Sequence, residues 1–126
     1  MQKQSPKILV VDDSATMRMF LSMTLKRVFA DISITEAENG VDAIKKMQAQ
    51  DVDLVLTDMM MPEMNGLQLI ENIRKLLNKD VPIIVITTKG EEKDRELGLS
   101  LGANGYITKP VSGNKLKDEV LKFLGC

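Results

Sequence analysis

The stretch DLVLTDMMMPEMNG, Asp53–Gly66, decides how the chain is read. Leu54, Val55 and Leu56 run without alternation, the pattern of a strand covered on both faces. Asp58 stands where that strand emerges. Pro62 lacks the amide hydrogen needed to prolong a ladder, and Asn65-Gly66 signals a turn or helix start. A short apolar loop therefore carries Asp58 toward a new helix, and the rest of the chain is organised around this acid.

Upstream, Ile8 to Val11 is an apolar β-branched strand that stops at Asp12-Asp13. A helix follows from about Ser14, with Met17, Phe20, Leu21, Leu25 and Val28 spaced for one apolar face. Ser33 to Ala37 alternates as a shorter, more exposed strand. Asn39 is placed to cap the next helix, whose narrow apolar face is Val41, Ile44 and Met47.

Downstream, Leu67, Ile70, Ile73, Leu76 and Leu77 mark a helix closing near Asn78. Pro82 opens a strand, Ile83 to Ile86, that finishes at Thr87-Thr88. The helix from about Glu91 to Leu101 turns Leu97 and Leu101 inward, carries Gly98 at a cost of about 1 kcal/mol relative to alanine, and ends at Gly102. Gly105 to Thr108 is the last strand and delivers Lys109-Pro110. Ser112 caps a final helix with Leu116, Val120, Phe123 and Leu124, and Gly125 suits its end. Five strands alternating with five helices call for a doubly wound α/β domain, a parallel sheet wrapped on both faces by right-handed crossovers.

The length of 126 residues suits one domain, 1–126, with a polar lead-in over 1–6. Seventeen basic against eighteen acidic residues leave a net charge of −1, which gives no footprint for nucleic acid or an anionic membrane. Three Phe, one Tyr and no Trp argue against base stacking. The single cysteine, Cys126, forbids an intrachain disulfide and points to a reducing cytoplasm. No apolar run approaches the roughly 18 residues of a membrane span, and MQKQSPK leads straight into a strand, so a soluble cytoplasmic monomer is expected. The chain has no histidine, which removes imidazole acid–base chemistry and histidine metal sites together.

In a parallel sheet the C-terminal strand ends share one edge, and ligands bind there. That edge collects Asp12, Asp13, Asp58, Thr87 and Lys109. Taken singly, each has an ordinary explanation: a helix cap, a loop acid, a strand threonine, a surface amine. Placed together, the acids repel by about 4 kcal/mol per pair at 4 Å and an effective dielectric near 20. A hard cation such as Mg²⁺ offsets this, with protonation or Lys109 alone as the competing account. Carboxylates, a cation, a lysine and a hydroxyl are the equipment of phosphoryl transfer. Asp58, alone on its strand, is the candidate nucleophile for an acyl phosphate. Lys109 and Thr87 are candidates to bind phosphoryl oxygens. Met59, Met60, Met61 and Met64 read as gap-filling loop, although the Met60 carbonyl can serve a metal. Tyr106 reads as half-buried with its hydroxyl at the surface.

Asp12-Asp13 after KILVV, D-x-x-M-P-x-x-x-G from Asp58 to Gly66, Thr87 ending PIIVIT, and Gly105-Tyr106 followed by Lys109-Pro110 resemble the receiver domain of two-component response regulators. The match spans essentially the whole chain and is most similar to the single-domain chemotaxis type. The resemblance implies a flavodoxin-like sandwich of strand order 2-1-3-4-5, and phosphoryl transfer to Asp58 from a phosphohistidine on a separate kinase. It implies Mg²⁺ bound by Asp13, Asp58 and the Met60 carbonyl, with Asp12 acting through water. Thr87 and Lys109 would contact the phosphoryl group, and Thr87 would draw Tyr106 inward as the switch. It further implies a cis Lys109-Pro110 bond, a downstream target protein docking near Tyr106, and no catalysis beyond the domain's own phosphorylation and dephosphorylation. Met60 offers no polar side chain to guide water and Thr88 is bulkier than the small residue often found there, so both are expected to modify dephosphorylation.

A phosphorelay intermediate is an alternative within this reading. A haloacid-dehalogenase-type phosphatase would need a second aspartate where Met60 stands. A flavin-binding module would need a glycine- and hydroxyl-rich loop where Asp12-Asp13 stands.

Overall fold

Within each strand, alternate residues feed two separate cores. In a computed structural model of the chain, which describes residues 5–88 and 95–124, strands β1 (Lys7–Val11), β2 (Ser33–Ala37), β3 (Leu54–Asp58), β4 (Ile83–Thr87) and β5 (Gly105–Thr108) form one sheet. The order is β2-β1-β3-β4-β5 and every pairing is parallel. The fold is therefore the flavodoxin-like arrangement that the resemblance implies.

One core contains Ile8, Val10, Leu54, Leu56, Ile84 and Ile86 from the sheet. Against them pack Leu21 and Leu25 of α1 (Ala15–Val28) and Leu116 and Val120 of α5 (Gly113–Leu124). The opposite core takes the intervening residues Leu9, Val11, Val55, Ile83 and Val85. It is covered by Ala43, Ile44 and Met47 of α2 (Gly40–Ala49) and by Leu69 and Ile70 of α3 (Gly66–Glu71). Leu101 of α4 (Arg95–Leu101) packs at its margin. A period of two in the strands and 3.6 in the helices thus produces a three-layer sandwich whose central strands are covered on both sides. The outer strand β2 is the more exposed one, as its alternation predicts.

The caps read from the sequence are present. Asn39 Oδ1 accepts the Asp42 amide at 2.8 Å, and Ser112 Oγ accepts the Lys115 amide at 3.1 Å. Gly102 ends α4 at φ +122°, the left-handed conformation that favours glycine. The start of α4 expected at Glu91 and the end of α5 at Gly125 lie outside the described residues, as do Cys126 and most of the lead-in.

Several positions assigned to inward faces are in fact exposed: Phe20 and Val28 on α1, Val41 on α2, Leu97 on α4, and Leu76. Phe20 neighbours the buried Leu21, so it lies about 100° around the helix from the face that meets the sheet. Val41, next to the cap, precedes the turn where α2 meets the sheet through Ala43. Leu76 is displaced because α3 continues as a π-helical turn, Asn72–Leu76, in which the Leu77 amide reaches the Asn72 carbonyl at 3.0 Å. The wider turn breaks the 3.6-residue spacing on which the sequence expectation rested. Asn78 then ends this helix at φ +53°.

Candidate functional site

The carboxyl edge of the sheet gathers the acids from two adjacent strands. Asp12 follows β1, and its amide bonds the Ala37 carbonyl at 3.1 Å. Asp58 is the last residue of β3, in register with Ile86 of β4. Asp12, Asp13 and Asp58 each offer a carboxylate oxygen within 4.8 Å of the others. Asp12 and Asp58 are buried at 2% and 6% exposure, while Asp13 is exposed. The site therefore has a closed floor and an open mouth.

The two buried acids are each held by a backbone donor. Asp12 Oδ1 accepts the Ser14 amide at 2.9 Å, and Ser14 in turn caps α1 by accepting the Met17 amide at 3.2 Å. Asp58 Oδ1 accepts the Met59 amide at 3.0 Å and faces Lys109 Nζ at 3.2 Å. This charge-assisted contact brings the end of β5 onto the end of β3. The Lys109-Pro110 bond is cis, as the resemblance implies. Asp12 Oδ2 is buried and accepts no hydrogen bond from the described residues. Burial pushes the Asp12 carboxyl from its ordinary 3.8 up to about 6; Asp58 and Asp13 push it further up, and the Ser14 amide and Lys109 hold it down. A buried acceptor with no donor, facing two further carboxylates, fits a hard cation by the chemistry of its donor set.

Thr87 ends β4 one residue beyond the Asp58 register and is 1% exposed. Its carbonyl accepts the Lys109 amide at 2.7 Å, joining the β4 and β5 exits. Met60 stands two residues past Asp58 with its side chain 59% exposed at the site's rim. Met59 and Met61 are buried, in keeping with their reading as apolar loop filling. Tyr106 corrects an expectation. Its ring is half-buried, but its hydroxyl oxygen is inside the protein, against α4 at Gly98, rather than at the surface.

Three residues have tertiary roles that sequence reasoning did not assign to them. A Cβ on Gly66 would stand 2.8 Å from the Asp58 carbonyl and 3.0 Å from Met59 Cα, so only glycine lets α3 start this close to the acid. Its place at the end of the D-x-x-M-P-x-x-x-G pattern was the available signal. Arg18 Nη1 donates to the Asp12 carbonyl at 2.6 Å, while Nε bonds Glu36 Oε1 at 3.1 Å. Nothing local announces Arg18, because its second partner lies on another strand. Gly98 was legible only as a cost.

Comparison with known proteins now decides the family. The model of the response regulator receiver domain matches residues 8–121. The chain belongs to the response regulator receiver family.

Among curated relatives of this receiver domain, the chemotaxis protein CheY1 of Helicobacter pylori is 43% identical over 121 residues, covering 94% of this chain and 97% of that protein. A chemotaxis protein CheY homolog of Campylobacter jejuni is 42% identical, covering 94% and 92%. Among solved structures, the Vibrio cholerae chemotaxis protein CheY4 superimposes with a TM-score of 0.87 at 29% identity, covering 95% of this chain and 99% of that one. The receiver domain is thereby a CheY-like two-component signalling protein. Among its described residues no helix is long and apolar enough to cross a membrane.

Proposed function

We propose that this receiver domain takes a phosphoryl group onto Asp58 from a phosphohistidine of a separate kinase, and that the acyl phosphate resets an output surface around Tyr106. The observation that carries this reading is the meeting of three carboxylates within 4.8 Å, with Lys109 Nζ 3.2 Å from Asp58. Such a cluster is costly unless a cation offsets it, and a cation held there would neutralise charge on a transferring phosphoryl group.

In the transfer step an Asp58 carboxylate oxygen forms a bond to phosphorus as the phosphorus–nitrogen bond to the donor imidazole breaks. The bonding pair stays on that imidazole nitrogen, and a proton on the ring's other nitrogen makes the departing group a neutral imidazole. The absence of histidine from these 126 residues fits a donor that lies outside them. Asp13, Asp58 and the Met60 carbonyl would hold Mg²⁺, with Asp12 contributing through water; the ion would neutralise charge on the phosphoryl oxygens. Lys109 binds one phosphoryl oxygen as a point charge, and the Thr87 hydroxyl donates to another. Reversal comes when water attacks phosphorus and the Asp58 carboxylate departs.

Output runs through the face formed by α4, β5 and α5. Leu97 and Leu99 are exposed on α4, and an open cavity of about 460 Å³ lies between β5 and α5, lined by Tyr106, Thr108 and Lys115 among others. An apolar helix face beside a charged cavity suits a target protein. The likeness to chemotaxis proteins favours a chemotaxis-type regulator over a phosphorelay intermediate.

The test is intact mass after incubation with acetyl phosphate and Mg²⁺. Wild type gains one phosphoryl group, and the gain is absent with EDTA and absent in Asp58→Asn. A gain retained in Asp58→Asn contradicts the assignment.

A further inference from the structure

Gly98 is a glycine in the middle of a helix, and nothing in its own backbone requires one. Its φ is not positive, and alanine there would favour the helix by about 1 kcal/mol. The reason for glycine lies across the interface. A Cβ built on Gly98 would overlap the Tyr106 hydroxyl oxygen outright and stand 2.9 Å from Cζ. That hydroxyl oxygen is buried. The ring is also held from its face by the Arg95 guanidinium, 5.6 Å from the centroid. Leu67 Cδ2 of α3 lies 3.5 Å from the same built Cβ, so α3 closes the other side.

We propose that Gly98 is a positioning residue for the switch: its missing side chain is the socket that accepts Tyr106, and any β-carbon there holds the ring outward, against the inward movement that phosphorylation draws. The inference rests on the reading of Tyr106 as the switch residue. It adds where the ring is admitted and which residue admits it. α4 cannot simply retreat, because its C-terminal end is fixed at Gly102, whose carbonyl accepts Arg74 Nε at 3.2 Å and Nη2 at 2.7 Å. A ring and a helix locked at one end leave rotation of the ring as the softer response.

Tyr106 is the only tyrosine and the chain has no tryptophan, so intrinsic fluorescence reports this one ring. In Gly98→Ala the outward-to-inward ratio of the ring is expected to shift at least about tenfold, read as a several-fold rise in acrylamide quenching in the absence of Mg²⁺ and phosphodonor. Quenching equal to that of wild type overturns the socket. Thermal denaturation supplies an independent reading through a double-mutant cycle: Gly98→Ala raises the melting temperature in a Tyr106→Ala background and fails to do so in the native one. Equal effects in both backgrounds also overturn it. Finally, Gly98→Ala is expected to accept phosphate from acetyl phosphate several-fold more slowly, because phosphorylation draws the ring inward and the β-carbon opposes that. Raised quenching with an unchanged rate overturns the regulatory role of the socket and locates the failure in the reading of Tyr106 as the switch, whereas unchanged quenching locates it in the socket.

Discussion

Replacing Asp12 by Asn should make the metal-free protein more stable and the metal-bound one less so. In the resting chain Asp12 is buried, one of its oxygens accepts no hydrogen bond, and two other carboxylates lie within 4.8 Å. Its carboxyl titrates near 6 rather than 3.8, and two units correspond to about 3 kcal/mol of penalty on the charged form. Asparagine keeps the acceptor that the Ser14 amide uses at 2.9 Å and places a donor where the unsatisfied oxygen stood. The sign follows from proton linkage. The folded chain binds the Asp12 proton more tightly than the unfolded chain, so its stabilising share is complete below pH 4 and is lost as pH rises through about 6. Urea titrations in EDTA should therefore show Asp12→Asn more stable than wild type by about 2–3 kcal/mol at pH 8. The gap should narrow as the pH falls from 6 toward 4. Saturating Mg²⁺ at pH 8 should reverse the order, because the cation turns the penalty on the ionised acid into binding energy. A variant equal to or weaker than wild type at pH 8 in EDTA would refute the electrostatic reasoning, as would a gap independent of pH.

Three further expectations concern the site's loop, the opposite edge of the sheet and the rim. Gly66→Ala forces a Cβ to within 2.8 Å of the Asp58 carbonyl; it should cost about 1–3 kcal/mol in denaturant titrations and slow phosphorylation, and an unaltered protein would show that the loop has slack. Arg74→Ala removes donors that reach the carbonyls of Lys79, Val81 and Gly102 and the Asn104 side chain, so a loss of about 3 kcal/mol is expected, with no rescue by Arg74→Lys because a single ammonium cannot span four acceptors. Met60→Asn puts an amide at the rim where a thioether stands 59% exposed, and the acyl phosphate should decay several-fold faster in a pulse–chase assay. An unchanged lifetime would remove Met60 from the account.

The sheet was readable because its central strands are apolar throughout and each is ended by a polar residue. Leu54–Leu56 and Ile83–Ile86 needed no tertiary information to be recognised as strands, and Asp58 and Thr87 marked where each emerges. The convergence of Asp12, Asp13, Asp58 and Lys109 followed from parallel topology alone, since that topology puts every such end on one edge. What the sequence did not disclose depended on contacts between elements. The π-helical turn at Asn72–Leu76 moved Leu76 into solvent, and no local propensity distinguishes that turn from an α-helical one. Gly98 looked like a weak point in a helix because its partner, Tyr106, is on the next strand. The Tyr106 hydroxyl was assigned to the surface on the ordinary habit of tyrosines, which a cavity left by a missing side chain overrides.

The central claim is that the acid ending β3 carries the phosphoryl group. Its most direct test is to treat the acetyl-phosphate-labelled protein with borohydride, which reduces an acyl phosphate to an alcohol, and to sequence the peptides by mass spectrometry. The account predicts homoserine at position 58 and nowhere else, with labelling that requires Mg²⁺. Reduction at position 12 or 13, or an unreduced Asp58 in a protein that has gained a phosphoryl group, would contradict it.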